Sequence, residues 1–386
     1  MSARAQHTVE SEAALAESAL LAQLDTQPRV RDFLVRALAQ GRASHAYLFL
    51  GAPGSGKLDA AWALAQALLC EDGGCGTCDA CGRVARHTHP DVHFFSPESA
   101  TGYLIAQIRD LLEDVSLAPI RAASKVYIVD RAEQLRANSA NALLKTLEEP
   151  PAGVTFILLG TSADAILPTI VSRCQCVPFR LLPVEESAQA VQRACGTSLE
   201  RCRVAVAIAG SPSRAVAFLK SAERQEARRA MVRAIDALGS ADEADILASA
   251  KELMVSVHAP LAEVKSTQKA VLEQNADYLS RGALKQLEDR NKRELSARER
   301  SGIMEALASA RTLLRDALLA AEQAGPIVNE DVADVVARIA DRASSAQIAC
   351  ALDAVARTES RIARNVTPQL AIEVMLFDIR KALQCP

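Results

Sequence analysis

Cys70, Cys75, Cys78 and Cys81 crowd four of the chain's ten cysteines into one short segment. As thiolates spaced x4, x2 and x2 they can surround a Zn²⁺ ion tetrahedrally, with bonds of roughly 2.3 Å. Gly73, Gly74 and Gly76 let the backbone wrap such an ion. A complete cysteine set leaves no open coordination position, so the expected zinc is structural. Unligated thiols and an iron–sulfur cluster are weaker alternatives. His87 and His89 lie nearby but are not needed as ligands. Cys174 and Cys176, two apart on one expected strand, share a face and are read as core.

A second constellation is Gly51-Ala-Pro-Gly-Ser-Gly-Lys57-Leu58, between an apolar run and a helical segment. That is the setting of a P-loop. Gly51, Gly54 and Gly56 permit a tight turn that aims backbone N–H groups at phosphate oxygens, and Lys57 can reach the outer phosphates. ATP or ADP is the expected ligand. The eighth position departs from the pattern. A hydroxyl there binds Mg²⁺ in working P-loops, and Leu58 has none, so magnesium is not expected to be well placed.

Val126-Tyr-Ile-Val-Asp130 is an apolar strand tipped by an acid, suited to holding Mg²⁺ beside a P-loop. The next residue, where a glutamate would activate water, is Arg131. A guanidinium cannot accept a proton at neutral pH and so cannot serve as a base. Glu133 is two residues further on and is expected to point elsewhere. The losses at 58 and 131 fall on two separate requirements of hydrolysis, and together they argue against turnover. Arg173, in Ser172-Arg173-Cys174, would in isolation be read as a surface ion pair.

These residues need a scaffold. Ala46–Leu50, 91–95, 125–130, 155–160 and 174–179 are short apolar runs, separated by helical patterns over about 58–69, 103–117 and 138–149. A further helix is expected over 20–40. Strands alternating with helices imply a parallel sheet covered on both faces, so the expected fold class is an α/β P-loop module. After Pro183 only helical signal remains, broken at Gly210-Ser211-Pro212, at Ser256–Pro260 and at Gly325-Pro326. Expected domains are 1–182, with the cysteine insert at 70–81, then a small helical domain at 183–240 and a larger one at 241–386. With 386 residues, two or three domains are reasonable. Aromatics make up only 3%, which favours helices packed through alanine and aliphatic side chains. The net charge of −3 excludes a generally basic nucleic-acid binder. The charged run 281–300 is read as a solvated helix face. No apolar stretch suits a membrane span, no apolar signal core is seen near the start, and a cytoplasmic setting is expected. The first twenty residues suggest no role.

The chain resembles the delta-prime subunits of bacterial DNA polymerase III clamp loaders, of the AAA+ family. The resemblance runs nearly through the first 215 residues. It rests on His45-Ala46 before the P-loop strand, the four-cysteine insert, and His89-Pro90-Asp91. It rests also on Leu143-Leu-Lys-Thr-Leu-Glu-Glu-Pro-Pro151, Ser172-Arg173-Cys174, and Gly210-Ser211-Pro212-Ser213-Arg214. Beyond that point the likeness is mainly helical character. The resemblance implies an AAA+ module, a small lid and a helical collar joining five subunits, with gamma/tau and delta as neighbours and the sliding clamp and primed DNA reached through the complex. It implies that Arg173 acts as an arginine finger in a neighbour's ATP site, and that Arg214 lies in the sensor 2 region of the nucleotide site. An arginine so placed is worth roughly 10³–10⁵ in rate. A subunit can then lack turnover yet be needed for it.

Three other readings are weighed. A gamma/tau motor subunit should retain the hydroxyl at 58 and the glutamate at 131. An autonomous P-loop ATPase meets the same objection. A zinc-dependent DNA-binding module would need a basic surface around Cys70–Cys81, which the sequence does not supply.

Overall fold

The computed structural model describes residues 24–97, 102–275, 281–364 and 366–384. The chain divides into two compact units, Met1–Glu186 and Ser187–Pro386.

The first unit is built on α1 (Pro28–Ala39), β1 (Ala46–Leu50), α2 (Lys57–Leu69), α3 (Asp79–Ala85), β2 (Val92–Phe95), α4 (Ile105–Val115), β3 (Lys125–Val129), α5 (Ala137–Glu148), β4 (Val154–Gly160), α6 (Pro168–Val171) and β5 (Gln175–Pro178). The sheet order is β2-β3-β4-β1-β5, and every pairing is parallel. Each of β1, β3 and β4 is an almost unbroken apolar run, as a sheet covered on both faces requires. Alternate residues divide between two cores. Tyr47, Phe49, Ile128 and Ile157 pack with residues of α1 and α2. Leu48, Tyr127, Phe156 and Leu158 pack with residues of α4 and α5. All five expected strands are present.

Two boundaries differ from expectation. The helix expected over 20–40 begins at Pro28, preceded by a turn at 24–26. Proline suits the first helical position because its missing N–H has no partner there. The first twenty residues, together with 21–23, lie outside the described residues. Ser256 and Val257, expected in a loop, belong to the helix Glu243–His258, whose Val257 is buried in the core. The apolar anchor keeps the chain helical until just before Pro260.

The second unit is helical throughout its described residues. It contains α7 (Val184–Cys195) from Ser187 onward, α8 (Leu199–Ala209), α9 (Pro212–Lys220), α10 (Ala222–Ala237), α11 (Glu243–His258), α12 (Leu261–Asn275), α13 (Arg281–Ala321), α14 (Ala333–Arg342), α15 (Ser345–Ala363) and α16 (Pro368–Gln384). One apolar cluster holds residues of α7 to α9 with Ala308, and a larger one holds residues of α10, α11 and α13 to α16. The long α13 contributes to both. Side-chain capping boxes start α11 at Asp242 and α15 at Ser344. The run 281–300 forms the first half of α13, where Arg298 pairs with Glu294 at 2.7 Å, one turn away. Among the described residues, no single helix is long and apolar enough to cross a membrane.

Candidate functional site

The P-loop leaves the C-terminal end of β1 and enters α2. Gly54 and Gly56 both adopt left-handed backbone angles, φ 84° and 83°, which a β-carbon disfavours. Gly51 is held for a different reason. A β-carbon there would meet Ser55 Oγ at 2.7 Å and the Phe179 carbonyl oxygen at 2.8 Å. The Ser55 hydroxyl is buried without a hydrogen-bond partner. Lys57 Nζ donates to the carbonyls of Gly51 at 2.8 Å and Ala52 at 3.2 Å. Its pKa is lowered by burial, against which the nearby charges of Asp130 and Glu133 push it up. This turn, with its lysine and its unsatisfied buried hydroxyl, fits a phosphate group.

Asp130 stands at the tip of β3. Its carbonyl accepts from the Tyr103 hydroxyl at 2.5 Å, and the same hydroxyl bonds the Phe95 carbonyl at 2.9 Å. The ends of β2 and β3 are thereby fixed together. Arg131 Nε lies 3.4 Å from Asp130 Oδ2. Arg131 takes a left-handed conformation, φ 49°, and opens the 3-10 turn Ala132–Gln134. Glu133 follows in that turn and makes no hydrogen bond or ion pair with Lys57. The turn brings Glu133 close enough for its charge to act on Lys57, with one carboxylate oxygen buried. Magnesium does not fit this site in the usual way. Leu58 offers no oxygen, and the acid that would hold the ion is engaged by a guanidinium.

Gln27 was not singled out by sequence reasoning. Its side-chain amide donates to the Ser55 carbonyl at 3.1 Å and to the Arg180 carbonyl at 2.7 Å. It ties the P-loop to the segment that follows β5. No pattern along the chain signals this contact, because the Arg180 carbonyl lies 153 residues away.

The four cysteines form the second site. Cys70 Sγ lies 3.7 Å from both Cys75 Sγ and Cys78 Sγ, and Cys75 Sγ lies 3.9 Å from Cys81 Sγ. A tetrahedron of ligands about 2.3 Å from an ion has edges of about 3.8 Å. All four sulfurs lie within 4.8 Å of one another, so the set is arranged to hold a metal ion. Hydrogen bonds from the Thr77 hydroxyl and from the amides of Thr77 and Cys78 pull the Cys75 thiol down to about 6. Burial pushes the Cys81 thiol up to about 12. The helix α3 starts at Cys78, whose sulfur accepts from the Cys81 amide at 3.4 Å. Neither histidine joins the cluster. His87 stacks on Trp62 with centroids 3.9 Å apart, and the buried His89 accepts from the Asp91 amide through Nδ1 at 3.2 Å. Cys174 and Cys176 pack against the core, as expected.

Arg173 follows the short helix α6. Its Nε donates to Glu148 Oε1 at 2.5 Å, and its Nη1 donates to the Thr169 carbonyl at 2.9 Å. Glu148 is the last residue of α5. Arg214 lies in the second unit, where its Nη2 donates to Ser301 Oγ at 3.0 Å and to Glu305 at 3.2 Å. The structure therefore brings Gly51, Gly54, Gly56, Lys57 and Asp130 together. It gives Arg173 a place of its own within the first unit.

A glycine-lysine turn leaving one strand of a five-stranded parallel sheet, with an acid at the tip of another strand two places away, defines a P-loop α/β protein. Residues 26–183 match the family model described as DNA polymerase III, delta subunit, and residues 301–381 match that described as DNA polymerase III, delta subunit, C terminal. The chain belongs to the DNA polymerase III clamp-loader family, with a P-loop α/β module followed by a helical region. It is 42% identical over 161 residues to the delta' subunit of DNA polymerase III from Bacillus subtilis, covering 41% of this chain and 49% of that protein. It is 40% identical over 164 residues to the tau subunit from Escherichia coli, covering 42% of this chain and 25% of that protein. The matched region is thus about half the length of the first relative and a quarter of the second. The crystal structure of a DNA polymerase III gamma subunit-related protein from Thermotoga maritima aligns over 92% of this chain and 99% of that one, with 15% identity and a TM-score of 0.41.

Proposed function

We propose that this chain is a non-motor, delta-prime-type subunit of the DNA polymerase III clamp loader. It takes its place in a five-membered ring with gamma/tau and delta, through a helical collar formed by its C-terminal region. It helps load the sliding clamp onto primed DNA in the cytoplasm. Its P-loop holds a nucleotide without turning it over, and Arg173 stabilises charge on the phosphate transferred in a neighbouring subunit's site. Zinc at Cys70, Cys75, Cys78 and Cys81 is structural.

One observation carries this reading. In a single site a phosphate-fitting turn coexists with Leu58 and with an Arg131 that sits on Asp130. A hydrolysing site needs an oxygen at the first position and a base at the second. The gamma/tau motor is the nearest rival, and relatives of both kinds are about equally identical to this chain. The residues at 58 and 131 favour the non-motor role. The test is phosphate release from Mg²⁺-ATP. The isolated chain should give none, and adding it to gamma/tau and delta should restore hydrolysis by the complex. Brisk turnover by the chain alone would refute the reading.

A further inference from the structure

The charges around the P-loop specify how a phosphate would be held there, on the premise just given that the site binds without turnover. In a P-loop of the usual kind a divalent cation bridges the phosphate oxygens, held by a hydroxyl and a strand-end acid. Here carbon stands at position 58, and the acid has a different partner. Arg131 Nε lies 3.4 Å from Asp130 Oδ2. Arg131 is a non-glycine residue with φ 49°, an uncommon conformation kept where the surroundings determine it. Those surroundings are visible. The Tyr103 hydroxyl holds the Asp130 carbonyl at 2.5 Å, and the Gln134 amide closes the turn onto the Arg131 carbonyl at 2.8 Å. The Arg131 side chain is 43% exposed, and its contact with Asp130 leaves other guanidinium donors available.

We propose that Arg131 takes the place of the divalent cation, so that this site binds the polyphosphate of a nucleoside di- or triphosphate in metal-free form. Lys57 and Arg131 supply the two positive charges. Asp130 acts on Arg131 as a strut and not as a metal ligand. The lysine now rests on two neutral carbonyls, Gly51 and Ala52, which a phosphate oxygen outcompetes because a charge-assisted hydrogen bond is the stronger. The buried, unpartnered Ser55 hydroxyl lies inside the same turn, 2.7 Å from where a side chain on Gly51 would begin. A planar guanidinium presents two parallel donors to phosphate in a fixed fork, where an ammonium offers a compact point charge. Glu133 is the opposing group. Its charge reaches Lys57, and with Asp130 it is the carboxylate a divalent cation would recruit.

The test is titration calorimetry of the full chain with ATP and with ADP, in EDTA and in excess Mg²⁺, with phosphate release followed on the same samples. Zinc content and circular dichroism report folding. The expected affinities agree within about twofold with and without the metal. Arg131→Ala should lose at least about tenfold in EDTA, a loss of about 1.4 kcal/mol. The double variant Leu58→Thr, Arg131→Glu should gain tightening by Mg²⁺. Tightening of the natural chain by Mg²⁺ of about tenfold or more would overturn the inference, as would the absence of binding in both conditions. Tightening by Mg²⁺ leaves the proposed function intact, whereas absence of binding also removes the nucleotide from it and leaves only the non-motor role. Phosphate release by the natural chain would sink both.

Discussion

Arg173 is clasped by Glu148 across the gap between α6 and α5, with its Nε donating at 2.5 Å. A second nitrogen of the same guanidinium also contacts that carboxylate, which is about half exposed. An exposed pair of this kind is worth about 0.2–1 kcal/mol to stability. Stability therefore separates a structural role from a catalytic one. Arg173→Ala should change the unfolding free energy by no more than about 1 kcal/mol, while ATP hydrolysis by the reconstituted complex falls by roughly 10³-fold. Arg173→Lys should restore little, because an ammonium lacks the fixed planar fork that engages phosphate oxygens bidentately. Hydrolysis at the normal rate by the alanine variant's complex would show that the clasp is merely an ion pair.

Asp91, between the cysteine module and β2, shows what fixes the 116–124 loop. Its carboxylate accepts three backbone amides, from Ile120 at 2.6 Å, Arg121 at 2.8 Å and Ala122 at 2.9 Å. Burial alone would push its pKa up, but the three amides outweigh burial and hold it below the usual carboxylate range. The depressed value means that its stabilisation is full above the unfolded value, near pH 4, and is lost as pH falls through the folded value. Asp91→Asn presents an NH₂ group to donors and should cost about 3 kcal/mol at neutral pH. Urea unfolding at a series of pH values should show that deficit shrinking in acid. A deficit independent of pH would mean that the carboxylate's charge is not what matters.

What the sequence made legible, and what it hid, follows the range of the interactions. The P-loop and the cysteine set are local, since their spacing within a few residues fixes their geometry. The strands were legible because burial on both faces leaves no polar alternation to confuse them, as in Lys125–Val129. The course of the chain at Glu133 was not legible because a single left-handed residue, Arg131, redirects it after β3. Gln27 reaches a carbonyl 153 residues away, and Arg214 reaches Glu305 across 91 residues. No pattern along the chain announces such partners. The helix end at His258 was missed because Pro260 suggested a break earlier than the buried Val257 permits.

The cysteine cluster is expected to carry one metal ion per chain. Its sulfurs are already separated by about the edge length of a zinc tetrahedron, so binding needs little rearrangement. Cys78 caps the start of α3 and, with a metal bound, would also be a ligand. Cys78→Ser should therefore lower the zinc content measured by mass spectrometry and loosen α3 together. Structural zinc contributes on the order of 10 kcal/mol to local folding, so protease should cut first within 70–85. Unchanged metal content in the serine variant would remove Cys78 from the ligand set.

Glu305 offers the sharpest stability test in the helical unit. Its side chain is only 6% exposed, yet it faces two arginines. Arg214 Nη2 approaches at 3.2 Å and Arg224 Nε at 2.9 Å, with a further close contact from Arg224 Nη2. Removing the carboxylate leaves two guanidinium groups facing one another with no anion between them. Glu305→Ala should cost about 3–5 kcal/mol. Arg214→Ala should cost far less, about 1 kcal/mol or under, because Arg214 is nearly half exposed and Arg224 keeps the carboxylate satisfied. The asymmetry between the two variants is the discriminating quantity. Equal losses in urea unfolding would mean that Arg214, and not Glu305, organises the contact.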